Sequence, residues 1–214
     1  MRNAVGELPP GLGQTFMRSI DSINALPGPT ANQCLRTLYW LASARVPLNS
    51  SELIEAVAID DMDSTWDPNR VVTDPTVIIN HCANLVSMEN ANDQDVHLFH
   101  PSVKDFLVQH PALFAPTLPK SITPNERCLQ FLPARDCLKY LSIVSHNQTH
   151  FFLHSSQNFT HYLRGAAGSS KHLSNLFIAV VQSVIARDIF VQYKFSSTCE
   201  CVFRLELLFP LLRS

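Results

Sequence analysis

Val96-His-Leu-Phe-His-Pro-Ser-Val-Lys-Asp-Phe-Leu107 reads as a strand that runs directly into a helix. Val96 to His100 is the strand, and His97 and His100, three apart, face opposite sides of it. Ser102 stands three residues before Asp105, a capping arrangement, and Val103, Phe106 and Leu107 form the inward face of the helix that Pro111 ends. His100 is expected to hydrogen-bond a backbone group where strand meets helix. Upstream, Leu85 to Glu89 reads as a partner strand and Asn90-Ala-Asn-Asp-Gln94 as the polar turn of a hairpin.

Before the hairpin, Asp74-Pro-Thr-Val77 starts a helix with Pro75 in the tolerated first turn; Val77, Ile78, His81, Cys82 and Leu85 supply its inner face. Asp60 to Asp74, with Trp66 inside it, is an acidic loop. Asn49 and Glu52 stand at the spacing of a capping box, and Leu53, Ile54, Val57 and Ala58 continue that helix. Pro47-Leu48 is a short extended link from a helix over 31–45, whose stripe is Leu35, Leu38, Tyr39 and Ala42. Trp40 lies off that stripe, so it either packs on a second element or marks a contact surface. Leu12, Phe16, Ile20 and Ile23 predict a further helix over 12–25, stopped by Leu26-Pro-Gly-Pro29. Helix, helix, helix, hairpin is the order of a winged helix. The expected fold is mainly α: a winged-helix domain of three helices plus a β-hairpin wing, flanked by helices.

Downstream, residues 111–120 carry three prolines and read as a linker or irregular loop. Thr123-Pro-Asn-Glu126 is another capping box, opening a helix to Phe131 that Pro133 interrupts; Ala134 to Leu141 is a second short helix with Cys137, Leu138 and Leu141 inside. Beyond Ser142 the pattern weakens, His146 to His161 is polar and aromatic, and Leu173 to Val191 is apolar and helical in character. The domain reading is 1–29, a connecting helix; 30–110, the winged helix; 111–165, a helical extension; and 166–214, an unassigned tail.

The 214 residues suffice for a sizeable core. Six Gly against 14 Pro argue against a Gly-rich nucleotide site, and a net charge of −2 leaves no electrostatic footprint for nucleic acid or anionic membrane. Between Arg70 and Lys104, the window of the would-be recognition helix and wing, there is no Lys or Arg. Phosphate neutralisation is the main source of DNA affinity, so DNA binding is disfavoured. Six scattered cysteines without Cys-x-x-Cys point to reduced thiols and a cytoplasmic setting. Residues 1–12 hold no signal-peptide core, and the charge-free stretch His172 to Ala186 is too short to cross a membrane.

No catalytic, metal-binding or cofactor-binding constellation is evident. His100 and Asp105 are too few for a metal site, which needs three or four converging ligands. Gly168-Ser-Ser lacks the second Gly of a nucleophile elbow. Cys137 sits on an apolar helix face, which favours packing over thiol chemistry. The singled-out residues are structural: His100, Ser102, Val103, Asp105, Phe106 and Leu107 at the strand-helix junction, Trp40, and Leu48, Glu52 and Leu53 around the capping box.

In order along the chain, several segments resemble one family. Glu7-Leu-Pro-Pro-Gly-Leu-x-x-Thr-Phe16 resembles the entry that follows the nucleotide-binding module of fungal NACHT-type signalling proteins. Leu38-Tyr-Trp-Leu-Ala-x-Ala44 and Val46-Pro-Leu-x-x-x-Glu-Leu53 look like its next two helices, and Val96 to Leu107 like its "V-x-L-x-H-x-S-V-x-D-[FY]-L" segment. Cys137-Leu-Lys-Tyr-Leu141 is similar to its recurring "C-L-x-Y-L" helix, and Phe152 to Tyr162 is a weaker echo of the segment after that. The same winged-helix region carries a name borrowed from GPI inositol-deacylase, which implies no deacylase chemistry.

The resemblance implies a non-catalytic regulatory module whose protein partners are a NACHT module and ankyrin or WD repeats, without nucleic acid, cofactor or membrane span. The family's phosphate loop, Gly-x-x-x-x-Gly-Lys-[Ser/Thr], does not occur here, which predicts a truncated member or a fragment. A DNA-binding winged helix and an unrecognised small enzyme are the alternatives; salt-dependent DNA binding or a pocket with a perturbed acid, base or thiol would favour them.

Overall fold

The computed structural model describes residues 11–60, 63–88, 95–118, 129–143 and 150–166. The capping box at 123–126 and the readings beyond 166 lie outside them. The first helix, α1 (Leu12–Asn24), buries Phe16, Ile20 and Ile23, as the apolar spacing predicts. The second, α2 (Gly28–Ser43), starts a turn earlier than expected, because Pro29 occupies its first turn, where a missing N–H costs nothing.

Pro47-Leu48 is more than a link. Leu48–Asn49 forms strand β1, and Asn49 also caps α3 (Ser50–Ala58). Both halves of the capping box are made: the Glu52 N–H donates to Asn49 Oδ1 at 2.9 Å and the Asn49 N–H to Glu52 Oε2 at 3.1 Å. Asp67 caps a short 3-10 turn at Pro68–Arg70 inside the acidic loop. In α4 (Pro75–His81) the Asp74 side chain accepts from the Thr76 N–H at 2.9 Å.

Strands β2 (Val86–Met88) and β3 (Asp95–Leu98) pair antiparallel, and β1 joins on the far side of β3, giving the order β1-β3-β2. Val96 is central, facing Leu48 on one side and Met88 on the other. Helix α2, strand β1, helices α3 and α4, then the hairpin is a winged helix with its three-stranded sheet. The α4–β2 turn places Ala83 and Asn84 at φ 50° and 63°, the left-handed region that L residues seldom occupy.

Two expectations at the junction are corrected. The strand ends at Leu98, so His100 lies outside it, and His100 rather than Ser102 is the N-cap of α5 (Pro101–Gln109). Pro101 fixes the first helical position, so the cap falls on the residue before it, and Asp105 is exposed with no capping role. On α4, Val77 and His81 are exposed; Ile78, Cys82 and Leu85 carry the burial, because a seven-residue helix presents one narrow stripe to the core.

The proline-rich segment is ordered: Pro111–Thr117 is a 3-10 helix whose Phe114 packs edge-on against Tyr39 of α2, ring centroids 4.7 Å apart. Pro133 does not interrupt α6 (Phe131–Ile143); it sits in the first turn, where no intrahelical N–H bond is lost. Helix α7 (Phe151–Gly165) occupies the stretch where the pattern weakens. Helices α6 and α7 form an antiparallel-type pair in close contact, and that pair lies against α2 and α3 of the winged helix.

Candidate functional site

The densest chemistry lies where the winged helix meets α6 and α7. Arg36 and Trp40 are four residues apart on α2, so they share a face, one distinct from the stripe of Leu35, Leu38 and Tyr39. That face is buried, and it resolves the position of Trp40: the indole is fully inside, edge-on to Phe151 and Tyr162 of α7 at centroid distances of 5.3 and 5.9 Å.

Asp136 of α6 enters the same space and is fully buried. Its Oδ2 accepts from Arg36 Nη2 at 2.6 Å and from the Trp40 indole N–H at 3.3 Å. Its Oδ1 accepts from Arg135 Nε and Nη2 at 2.9 and 2.8 Å. Two buried guanidinium groups thus share one buried carboxylate. Arg36 also reaches the C-terminal end of α3, donating to the carbonyls of Ala56, at 3.1 Å, and Ile59. Carbonyls at a helix C-terminus lack intrahelical partners and form the negative end of the helix dipole, a favourable place for a guanidinium.

A second carboxylate crosses the junction in the other direction. Glu55 of α3 is buried and accepts from the Tyr140 hydroxyl of α6 at 2.8 Å, and from the His150 and Phe151 N–H groups at 3.1 and 2.9 Å. Those two N–H groups open α7. The N-terminus of α7 is thus capped by a carboxylate from the winged helix rather than by its own chain, a favourable place for negative charge. A third tie is Tyr162, whose hydroxyl accepts from the Arg45 N–H at 3.4 Å and lies 3.1 Å from His154 Nε2. Burial drives the His154 pKa down to about 4 and raises that of Tyr162, so both stay neutral near pH 7.

The residues singled out in the sequence fall in two places. Val103, Phe106 and Leu107 of α5, Leu48 of β1 and Leu53 of α3 are core. His100 and Ser102 lie together at the start of α5: the Ser102 N–H donates to His100 Nδ1 at 3.2 Å, and the Ser102 hydroxyl is 2.7 Å from the same nitrogen. The Ser102 N–H and hydroxyl thus meet at one ring nitrogen, which makes His100 the cap of α5. Glu52 does its work in the capping box, where burial raises its pKa although the Asn49 N–H pulls the other way.

Sequence reasoning missed Arg36, Glu55, Arg135 and Asp136. Arg36 and Asp136 stand 100 residues apart, beyond any local pattern. The available signal was Arg36 with Trp40 at i and i+4, a second face on a helix that already has one.

Beside the junction is a polar cleft of about 110 Å³ lined by Asn32, Arg36, Asp60, Pro116, Thr117 and Arg135, continuous through Asn32, Arg36 and Asp60 with one of about 390 Å³ that reaches Pro29 and Arg70. Its arginines are held by Asp136, Asp60 and Asp63. Among the described residues no three His, Cys, Asp or Glu side chains converge to hold a metal, and no helix is long and apolar enough to cross a membrane.

Helix α4 and the wing strands carry the domain's other exposed side chains of interest. Thr76, Val77, Asn80, His81, Asp95 and His97 are exposed there, and none is cationic in the manner of Lys or Arg. Across 71–103 the charged side chains are Asp74, Glu89, Asp93 and Asp95, all acidic.

No curated protein and no solved structure matches this chain. Residues 29–115 match the family described as GPI inositol-deacylase, winged helix domain, a span that begins with α2 and closes with the 3-10 turn carrying Phe114. The chain is therefore a mainly helical protein built on a winged-helix domain.

Proposed function

We propose that the chain is a non-catalytic interaction module, a winged helix fused to a helical extension, that works as a lever beside a NACHT-type nucleotide-binding module. The observation that carries this reading is the placement of charge. The buried Asp136, Arg36 and Glu55 tie the winged helix to α6 and α7, while α4 and the wing lack the cations that would neutralise phosphate. A part that passes on a nucleotide-driven movement must move as one body, and buried polar groups hydrogen-bonded across a junction resist its separation. The family resemblance supplies the NACHT context and its repeat-domain partners, and the winged-helix domain match is in keeping with it; the missing phosphate loop is a departure from that family.

The direct test has two arms. Reading the transcript upstream is expected to reveal a continuous frame with a phosphate loop, and a start without one would contradict the lever. The purified chain is expected to show no ATP or GTP turnover and no binding to duplex DNA at about 50 mM salt. Turnover would make it an enzyme, and binding that weakens steeply with salt would make it a DNA-binding winged helix.

A further inference from the structure

The acidic loop between α3 and α4 touches the joint. Trp66 is half-buried and packs edge-on against Tyr140 of α6, ring centroids 5.2 Å apart, and Tyr140 is the residue whose hydroxyl donates to Glu55. The loop is tied to itself by Arg70, which pairs with Asp63 and, at 3.7 Å, with Asp60, while the Asp60 N–H donates to Asp63 Oδ2 at 2.8 Å. Beside these ties stands Ser64, exposed, on a stretch from Asp63 to Asp67 that is neither helix nor strand. Asp63 precedes it, and the exposed Asp67 stands three residues after it. Ser or Thr followed at the third position by an acid occurs at Ser64, Ser102, Thr123 and Ser197. Ser102 is half-buried in the first turn of α5 with its hydroxyl on His100, and Thr123 and Ser197 lie outside the described residues. Among the described residues, Ser64 alone joins acids on both sides to an exposed serine on irregular backbone.

We propose that Ser64 is the acceptor for an acidophilic protein kinase, and that its phosphorylation releases Trp66 from Tyr140. A kinase takes its substrate as a short, accessible segment and sorts segments by charge, so acids on both sides of the serine suit a basic peptide groove. In the transfer the Ser64 hydroxyl oxygen attacks the γ-phosphorus of ATP. The bond from that phosphorus to the β–γ bridging oxygen breaks, ADP leaves, and the hydroxyl proton passes to the base of the kinase. The phosphate carries a charge of about −1.5 to −2 at pH 7. It repels Asp63 next to it and competes for the guanidinium that Asp63 holds, since phosphate takes Arg in the same two-pronged way as carboxylate and with more charge. Loss of the Asp63–Arg70 tie opens the loop, and Trp66, two residues beyond Ser64, leaves Tyr140. The residue that positions Glu55 then loses its cover, so the modification loosens the coupling between winged helix and extension. None of this depends on a NACHT module beside the chain.

The test incubates the full chain with casein kinase II, magnesium and ATP. The expected result is a single added phosphate, mapped to Ser64 by tandem mass spectrometry and absent in Ser64→Ala. Asp67→Asn keeps a side chain that can cap the 3-10 turn but removes the charge offered to the kinase, and is expected to slow labelling about tenfold. Of the two tryptophans Trp40 is fully buried, so acrylamide quenching of their fluorescence reports Trp66. Quenching is expected to rise about twofold on phosphorylation, as a half-buried indole becomes exposed, and to stay unchanged in kinase-treated Ser64→Ala. A chain that takes no phosphate or takes it on another residue overturns the proposal. So does an Asp67→Asn chain labelled as fast as the unaltered one, or quenching that full labelling of Ser64 leaves unmoved.

Discussion

The winged helix has two faces that treat charge in opposite ways. Toward α6 and α7 it buries Arg36 and Glu55 and receives Asp136, with each carboxylate oxygen accepting at least one hydrogen bond. Toward solvent, α4 and β3 expose uncharged and acidic side chains. Many winged helices do the reverse, keeping a plain back and offering a cationic third helix to the major groove. The contrast teaches that this domain's polar chemistry serves an internal joint, and that its exposed face suits a protein surface better than a phosphate backbone.

The joint can be broken most severely at Asp136. Asp136→Ala leaves two buried guanidinium groups without their shared partner, and is expected to cost about 3–5 kcal/mol in urea unfolding. A change below 1 kcal/mol would mean that the arginines find water instead. The next effect is that of pH on His154. Its folded pKa of about 4 lies below the ordinary 6.5, so the fold favours the neutral ring. Its contribution is complete above pH 6.5 and is lost as pH falls from 6.5 to 4, by up to about 3 kcal/mol. His154→Phe is expected to flatten that slope in unfolding curves taken across the window.

Glu55→Gln keeps the shape but weakens three hydrogen bonds to the start of α7 and to Tyr140, for about 1–3 kcal/mol. Amide exchange should quicken first in the opening turn of α7. The smallest effect belongs to the other face. Val77→Lys and Asn80→Lys, both at exposed α4 positions, should shift stability by no more than about 0.5 kcal/mol. A larger loss in thermal melts would show that α4 is already covered.

Much of the fold was legible because it is written locally. Leu12, Phe16, Ile20 and Ile23 announce α1, and Asn49 with Glu52 announces α3, through neighbours a few residues apart. Strand β1 was not legible: two residues become a strand only because Leu48 finds Val96 across the sheet. Helix α7 escaped because His154, Ser155 and Asn158 share its buried face with Phe151 and Tyr162, so helical burial leaves no apolar periodicity. The joint escaped for the same reason at longer range. A buried ion pair looks in sequence like any two surface charges until the fold brings them to 2.6 Å.

Native-state hydrogen exchange on α2, α3, α6 and α7 tests the central claim, that winged helix and extension are one body. The account predicts that the slowest amides of all four helices share a single opening free energy and fall together in Asp136→Ala. A lower opening free energy for α6 and α7, with α2 and α3 still protected, would contradict it and leave no lever to transmit a movement.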